Sequence, residues 1–245
     1  MKILFDENGK PFEPRVTTTC ISRFGDSYNE TVREIIAKSG KGVDREIFHQ
    51  NVARLMPNFK MTRQGPFKGV SYSSGVVKDP KRQIAACWEA IGGSALKLRH
   101  FLDEQGTESR ARLLVEIPHS AQKEVATQLW NMFKELVSLC MGKSTLGLVA
   151  ASKVLFSVFP EVALPIDNAE WRTVFKTIDY GDIILLMASE IAEWERMLEV
   201  HLDSCDPHQV KTLPSVYNVM AMKARSLQKA TDRMAKKSTH TKWHS

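Results

Sequence analysis

The sequence predicts a mainly α protein, two helical lobes flanking a cleft, with a short extended piece at the N-terminus. Three stretches carry that expectation. Between Ser120 and Met141, Val125, Leu129, Met132, Phe133, Leu136, Val137 and Cys140 recur at helical spacing and form one apolar stripe. Between Asp182 and Leu202, Ile183, Leu186, Ile191, Trp194, Met197 and Leu198 form another. Ser144 to Phe159 is apolar on nearly every side, the pattern of a helix buried at the centre of a fold.

The remaining elements follow in order. Residues 1–25 hold Gly9, Pro11 and Pro14 among short apolar pieces and read as extended structure with a small hairpin. Asp26 to Lys38 and Val43 to Leu55 read as two short amphipathic helices, the second stopping at Pro57. Residues 58–82 break the pattern and read as a loop. A helix follows from Gln83 to Asp103, and its Gly92-Gly93 pair predicts a kink or a close backbone contact. Arg110 to Ile117 is a short helix or strand ended by Pro118. Pro207 and Pro214 bracket a joint before a last helix from Ser215 to Ala235, and the tail to Ser245 is polar.

The 245 residues, 43% hydrophobic and 25% charged, are enough to bury a substantial core. A formal charge of +6 favours an anionic partner. Cys20, Cys87, Cys140 and Cys205 have no metal-ligand spacing, which argues for reduced thiols and against a zinc or iron–sulfur site. The apolar run at Ile3-Leu4-Phe5 is too short for a signal peptide, and no run approaches the ~18 apolar residues of a membrane span. A cytoplasmic, monomeric protein with no membrane association, metal or cofactor is the expectation.

Two stretches offer chemistry. The loop at 58–82 carries Lys60, Arg63, Lys68, Lys78, Lys81 and Arg82 against the single acid Asp79, interleaved with Phe59, Phe67 and Tyr72 and three glycines. Cations suit phosphates and rings suit unstacked bases, so the loop fits nucleic acid as well as it fits a solvated connection. The last helix is also basic, with Lys223, Arg225, Lys229, Arg233, Lys236 and Lys237 against Asp232. Gly142-Lys143-Ser144 matches only the end of a phosphate-binding P-loop: the first glycine of that pattern is replaced by Val137, and a helix precedes where a strand is required.

The second stretch is Pro165-Ile166-Asp167-Asn168-Ala169-Glu170-Trp171-Arg172. Asp167 and Glu170 have the spacing of a capping box, and Trp171 and Phe175 lie one turn apart facing the core. The residues alone leave open whether Asp167 caps a helix or performs chemistry.

A buried helix, a short apolar crossing, Ile-Asp, and then an aromatic residue and an arginine resemble the core of the helix-hairpin-helix DNA glycosylase superfamily, which includes the endonuclease III and 8-oxoguanine glycosylase groups. The resemblance spans Gly142 to Phe175. It implies that Asp167 is the catalytic acid, that Trp171 and Arg172 are the residues following it, and that Leu146-Gly147-Leu148-Val149 is a degenerate hairpin. The family's Schiff-base lysine register falls on Leu148 or Val149; Lys153, one helical turn later, is the candidate on the same face. Ala169 replaces a histidine common in the family, the hairpin lacks a proline and a glycine, and the cysteine cluster of the iron–sulfur subgroup is missing.

The resemblance implies a monofunctional DNA N-glycosylase that flips a modified base out of double-stranded DNA and leaves an abasic site. Catalysis falls to Asp167 and Lys153, and DNA contacts to Lys143, Ser144, Gly147, Arg172 and the six cations of the basic loop. Phe67, Tyr72 and Trp88 are the rings that stack on a base, unless they only pack. The N-terminal 120 residues match no subgroup, which points to an unusual substrate such as a hypermodified cytosine of phage DNA and to antiviral defence. The expected division is a lobe at 1–118 containing the basic loop, a core with the helix-hairpin-helix-like element at 119–206, and a basic helix and tail at 207–245. A non-catalytic helical DNA-binding module, or a protein-interaction domain using the basic last helix, is the alternative.

Overall fold

The computed structural model describes residues 2–22, 27–39, 42–107, 109–140, 146–208 and 211–226. The fold is mainly α, and its one sheet among these residues is a two-stranded hairpin. Helix α6 (His119–Cys140) lies at the centre, packed by α4 (Gln83–Asp103), α7 (Leu146–Val158) and α9 (Tyr180–Leu198). Helix α3 (Arg45–Asn58) covers the other side of α7. One cluster of buried side chains runs from Ile3 to Ala221 and so passes through all three of the expected divisions.

The N-terminal piece is extended only at its start. Phe5 pairs with Pro11 around a turn in which Asp6 accepts from the Asn8 and Lys10 amides at 2.9 and 2.8 Å. Helix α1 (Pro14–Ser22) then replaces the expected extended chain. Pro14 supplies a first-turn φ, and Thr17 and Ile21 are buried as α1 packs on the short turn at Leu202–Cys205. Helix α2 (Ser27–Ser39) follows, and Asp44 caps α3 through the Ile47 amide at 2.8 Å. Pro57 falls inside the last turn of α3 rather than beyond it.

The basic loop folds back on α3. Strands β1 (Ser71–Ser73) and β2 (Val76–Lys78) pair across Ser74-Gly75, both at positive φ (50° and 82°) as a tight two-residue hairpin turn requires. The lone acid Asp79 caps α4, accepting from the Gln83, Ile84 and Ala85 amides at 2.9, 2.8 and 3.3 Å. Helix α4 runs unbroken through Gly92-Gly93 because the Trp88 ring lies against Gly92, where a Cβ would stand 2.8 Å from the indole.

Short α5 (Leu113–Glu116) leads into α6, and residues 213–226 form α10. Side chains of α9 tie the N-terminal segment to α10. Glu190 on α9 accepts from the Leu4 amide and from the Tyr217 hydroxyl of α10 at 2.8 Å, and the Trp194 indole donates to the Phe12 carbonyl at 2.9 Å. No helix among the described residues is long and apolar enough to cross a membrane.

Candidate active site

Helix α7 is buried all round, with Ala150, Ala151, Val154, Leu155 and Phe156 inaccessible to solvent. Its polar side chains are each accounted for. Ser157 donates to the Lys153 carbonyl at 2.7 Å. The Ser152 hydroxyl binds both backbone groups of Ile166, accepting from the amide at 3.1 Å and donating to the carbonyl at 3.2 Å a proton it shares with the Val149 carbonyl at 3.0 Å. The Tyr180 hydroxyl does the same for Leu164, at 2.7 Å to the amide and 2.8 Å to the carbonyl. Burial pushes the Tyr180 phenol well up. These two side chains supply the irregular crossing with the hydrogen bonds a sheet would give, which lets it pass through the core.

Two residues bound in this way deliver Asp167. Its backbone is extended (φ −85°, ψ 160°) at the N-cap position of α8 (Asn168–Glu170), but its side chain makes no capping bond. The Asp167 carboxylate instead takes Lys153 Nζ at 2.5 Å. The pair is lopsided: the lysine side chain is 5% exposed and the aspartate 47%. Lys153 Nζ also lies 4.9 Å from the centroid of the Phe59 ring. A buried ammonium therefore holds a carboxylate that faces solvent.

The turn after Asp167 is anchored behind it. Glu170 is fully buried and faces Arg225 of α10 at 2.5 Å. Burial raises the Glu170 carboxyl above its ordinary range, Arg225 opposes that shift, and Asp167 adds to it. Trp171 packs on Phe133 and Tyr180 as the helix widens into a π-helical turn at Trp171–Phe175, closed by left-handed Lys176. Arg172 points outward and is exposed.

The expected site residues separate into three groups. Lys153 and Asp167 meet. Leu146 to Val149, expected as a degenerate hairpin, are instead the first turn of α7; Lys143 and Ser144 lie outside the described residues, and Gly147 is buried in the helix. Lys60, Arg63, Lys68, Lys78, Lys81 and Arg82 are all exposed, with Lys81 donating to the Gly65 carbonyl at 3.2 Å.

The three stacking candidates are mostly committed to packing. Phe67 is fully buried and presents no face to a ligand, because the loop folds its ring into the core. Trp88 is half-buried against Phe48 at 5.4 Å and Gly92. Tyr72 is half-buried beneath the Arg54 guanidinium at 5.7 Å. Ser152 and Tyr180 are residues the pattern did not single out, and it named Phe59, Glu170 and Arg225 without placing them at this site. A hydroxyl inside an otherwise apolar helix was the available signal for Ser152.

Two surface pockets lie elsewhere. One of about 430 Å³ is lined by Arg45, Glu46, His49, Gln50, Gly75 and Val77, where burial and then Arg45 lower the His49 imidazole. The other, of about 460 Å³, borders Arg112, Glu195 and His201. Glu195, His201 and Asp203 converge closely enough to hold a metal ion. The Arg112 guanidinium already reaches Glu195 at 2.8 Å and Asp203 at 2.5 Å and supplies the positive charge there.

No protein-family profile, curated protein or solved structure matches the chain.

Proposed function

We propose that the chain is a DNA N-glycosylase in which Asp167 and Lys153 form the catalytic pair and the substrate is a modified base in double-stranded DNA. The observation that carries this reading is the Asp167 carboxylate, which makes no bond to the helix it heads and is held instead, half exposed, by a buried lysine.

The pair suits hydrolysis of an N-glycosidic bond. As the C1′–N bond breaks, the electron pair leaves with the base and positive charge develops on the sugar. The Asp167 carboxylate stabilises that charge and takes the proton of the attacking water, whose oxygen bonds to C1′. The departing base acquires a proton from solvent. Lys153 holds Asp167 in place through Oδ1. The target base is flipped from the duplex, and the six exposed cations at 58–82 supply phosphate contacts that offset the cost. A hypermodified cytosine of phage DNA is the substrate proposed first.

Incubation with DNAs of differing base modification, followed by alkali and strand-break scoring, tests the reading. Breaks at modified positions that disappear with Asp167→Asn are the expected result. A non-catalytic DNA-binding module would give no breaks on any substrate while losing DNA affinity on charge reversal of Lys78, Lys81 and Arg82.

A further inference from the structure

The Lys153 side chain is only 5% exposed, although its partner Asp167 is 47% exposed. The cover is Phe59. It is the first residue beyond α3, its amide donates to the Leu55 carbonyl at 3.1 Å, and Lys60 behind it turns the chain with φ 59°. A lysine in the left-handed region has no local preference for it, so the surrounding fold imposes the reversal that fixes the ring. One side of Phe59 meets Phe156 edge-on with centroids 6.0 Å apart, and the ring lies 4.9 Å from Lys153 Nζ.

We propose that Phe59 gates Lys153. Its ring covers the ammonium in the free protein and yields that position to the planar ring of an incoming nucleobase. The second half rests on the glycosylase reading above. The exchange is chemically even, since a nucleobase offers the same kind of π surface that the phenyl group withdraws. Phe59 is thus a positioning residue that acts through Lys153. It also begins the basic loop, so the exposed cations Lys60, Arg63 and Lys68 follow the gate directly in sequence.

Reductive methylation with formaldehyde and cyanoborohydride, read residue by residue by mass spectrometry, tests the gate without DNA. Lys211 is the internal reference, because its side chain is 1% exposed and pairs with Asp206. Phe59→Leu keeps apolar bulk and removes the π face, whereas Phe59→Tyr keeps both. Relative to Lys211, Phe59→Leu is expected to speed Lys153 labelling by roughly tenfold, and Phe59→Tyr to restore protection. Equal Lys153 labelling in the two variants overturns the gate. Labelling as expected, with no base release by any protein on any modified DNA, instead overturns the glycosylase reading and leaves the cover over Lys153 standing.

Discussion

Asp167 occupies the N-cap position of α8 and gives its carboxylate to Lys153, 2.5 Å away across the crossing from α7. Fourteen residues separate the two in sequence. They meet because Ser152 and Tyr180 fix Ile166 and Leu164 and so bring the end of the crossing back over the lysine.

Lys153→Met tests whether the lysine is kept for stability. Burying an ion pair gains little over packing an apolar side chain of similar length, and here one partner is half exposed. The variant is expected to unfold in urea within about 1 kcal/mol of the parent, or to be more stable. Base release is expected to be lost. A large loss of stability would mark Lys153 as structural.

Tyr180→Phe leaves the amide and carbonyl of Leu164 buried without their hydroxyl partner. The expected destabilisation is about 2–3 kcal/mol, the scale of stranding buried polar groups. Amide exchange at Leu164 should accelerate more than at residues in α6, which a uniform loss of stability would not produce.

These side-chain roles differ in how far the sequence exposes them. Helices α6 and α9 are plain in it, because each has one apolar stripe and one neighbour-facing side. Helix α1 is not, since Thr17, Thr18 and Thr19 favour extended chain and the packing of Thr17 and Ile21 on Leu202–Cys205 overrides them. Phe67 looks like a free ring in a basic loop until the β1–β2 hairpin folds that loop onto α3. The choice Asp167 faced is visible in the sequence, but its outcome is not, for a related reason. Capping needs only the next three residues, whereas pairing needs Lys153 delivered by a different helix.

The basic loop predicts a salt dependence. Lys60→Glu with Lys68→Glu, or Lys78→Glu with Lys81→Glu, should weaken DNA binding similarly on every sequence. Removing one cation from a phosphate should flatten the plot of log affinity against log salt by about one unit. Filter binding across a salt series measures it, and an unchanged slope would take the loop out of the interface.

Glu190 predicts a pH dependence. Burial raises its carboxyl above the ordinary value of 4.5, despite hydrogen bonds from the Leu4 amide and Tyr217. A carboxyl raised in the folded state favours folding while protonated, and that contribution fades as pH rises through its folded value. Glu190→Gln cannot ionise. Its stability relative to the parent should therefore be constant below pH 4.5 and improve progressively above it, as followed by urea denaturation across pH.

The most direct measurement is base release by Asp167→Asn beside the parent on modified double-stranded DNA, with DNA affinity and urea midpoint taken on the same samples. Asn keeps an oxygen that can accept from Lys153 but leaves the buried ammonium without a counter-charge, so stability is expected to fall by a few kcal/mol while the protein stays folded, which the urea midpoint reads. The expected result is unchanged affinity with alkali-sensitive sites reduced by at least about a hundredfold, the scale of a lost general base. Equal base release by the two proteins would contradict the account.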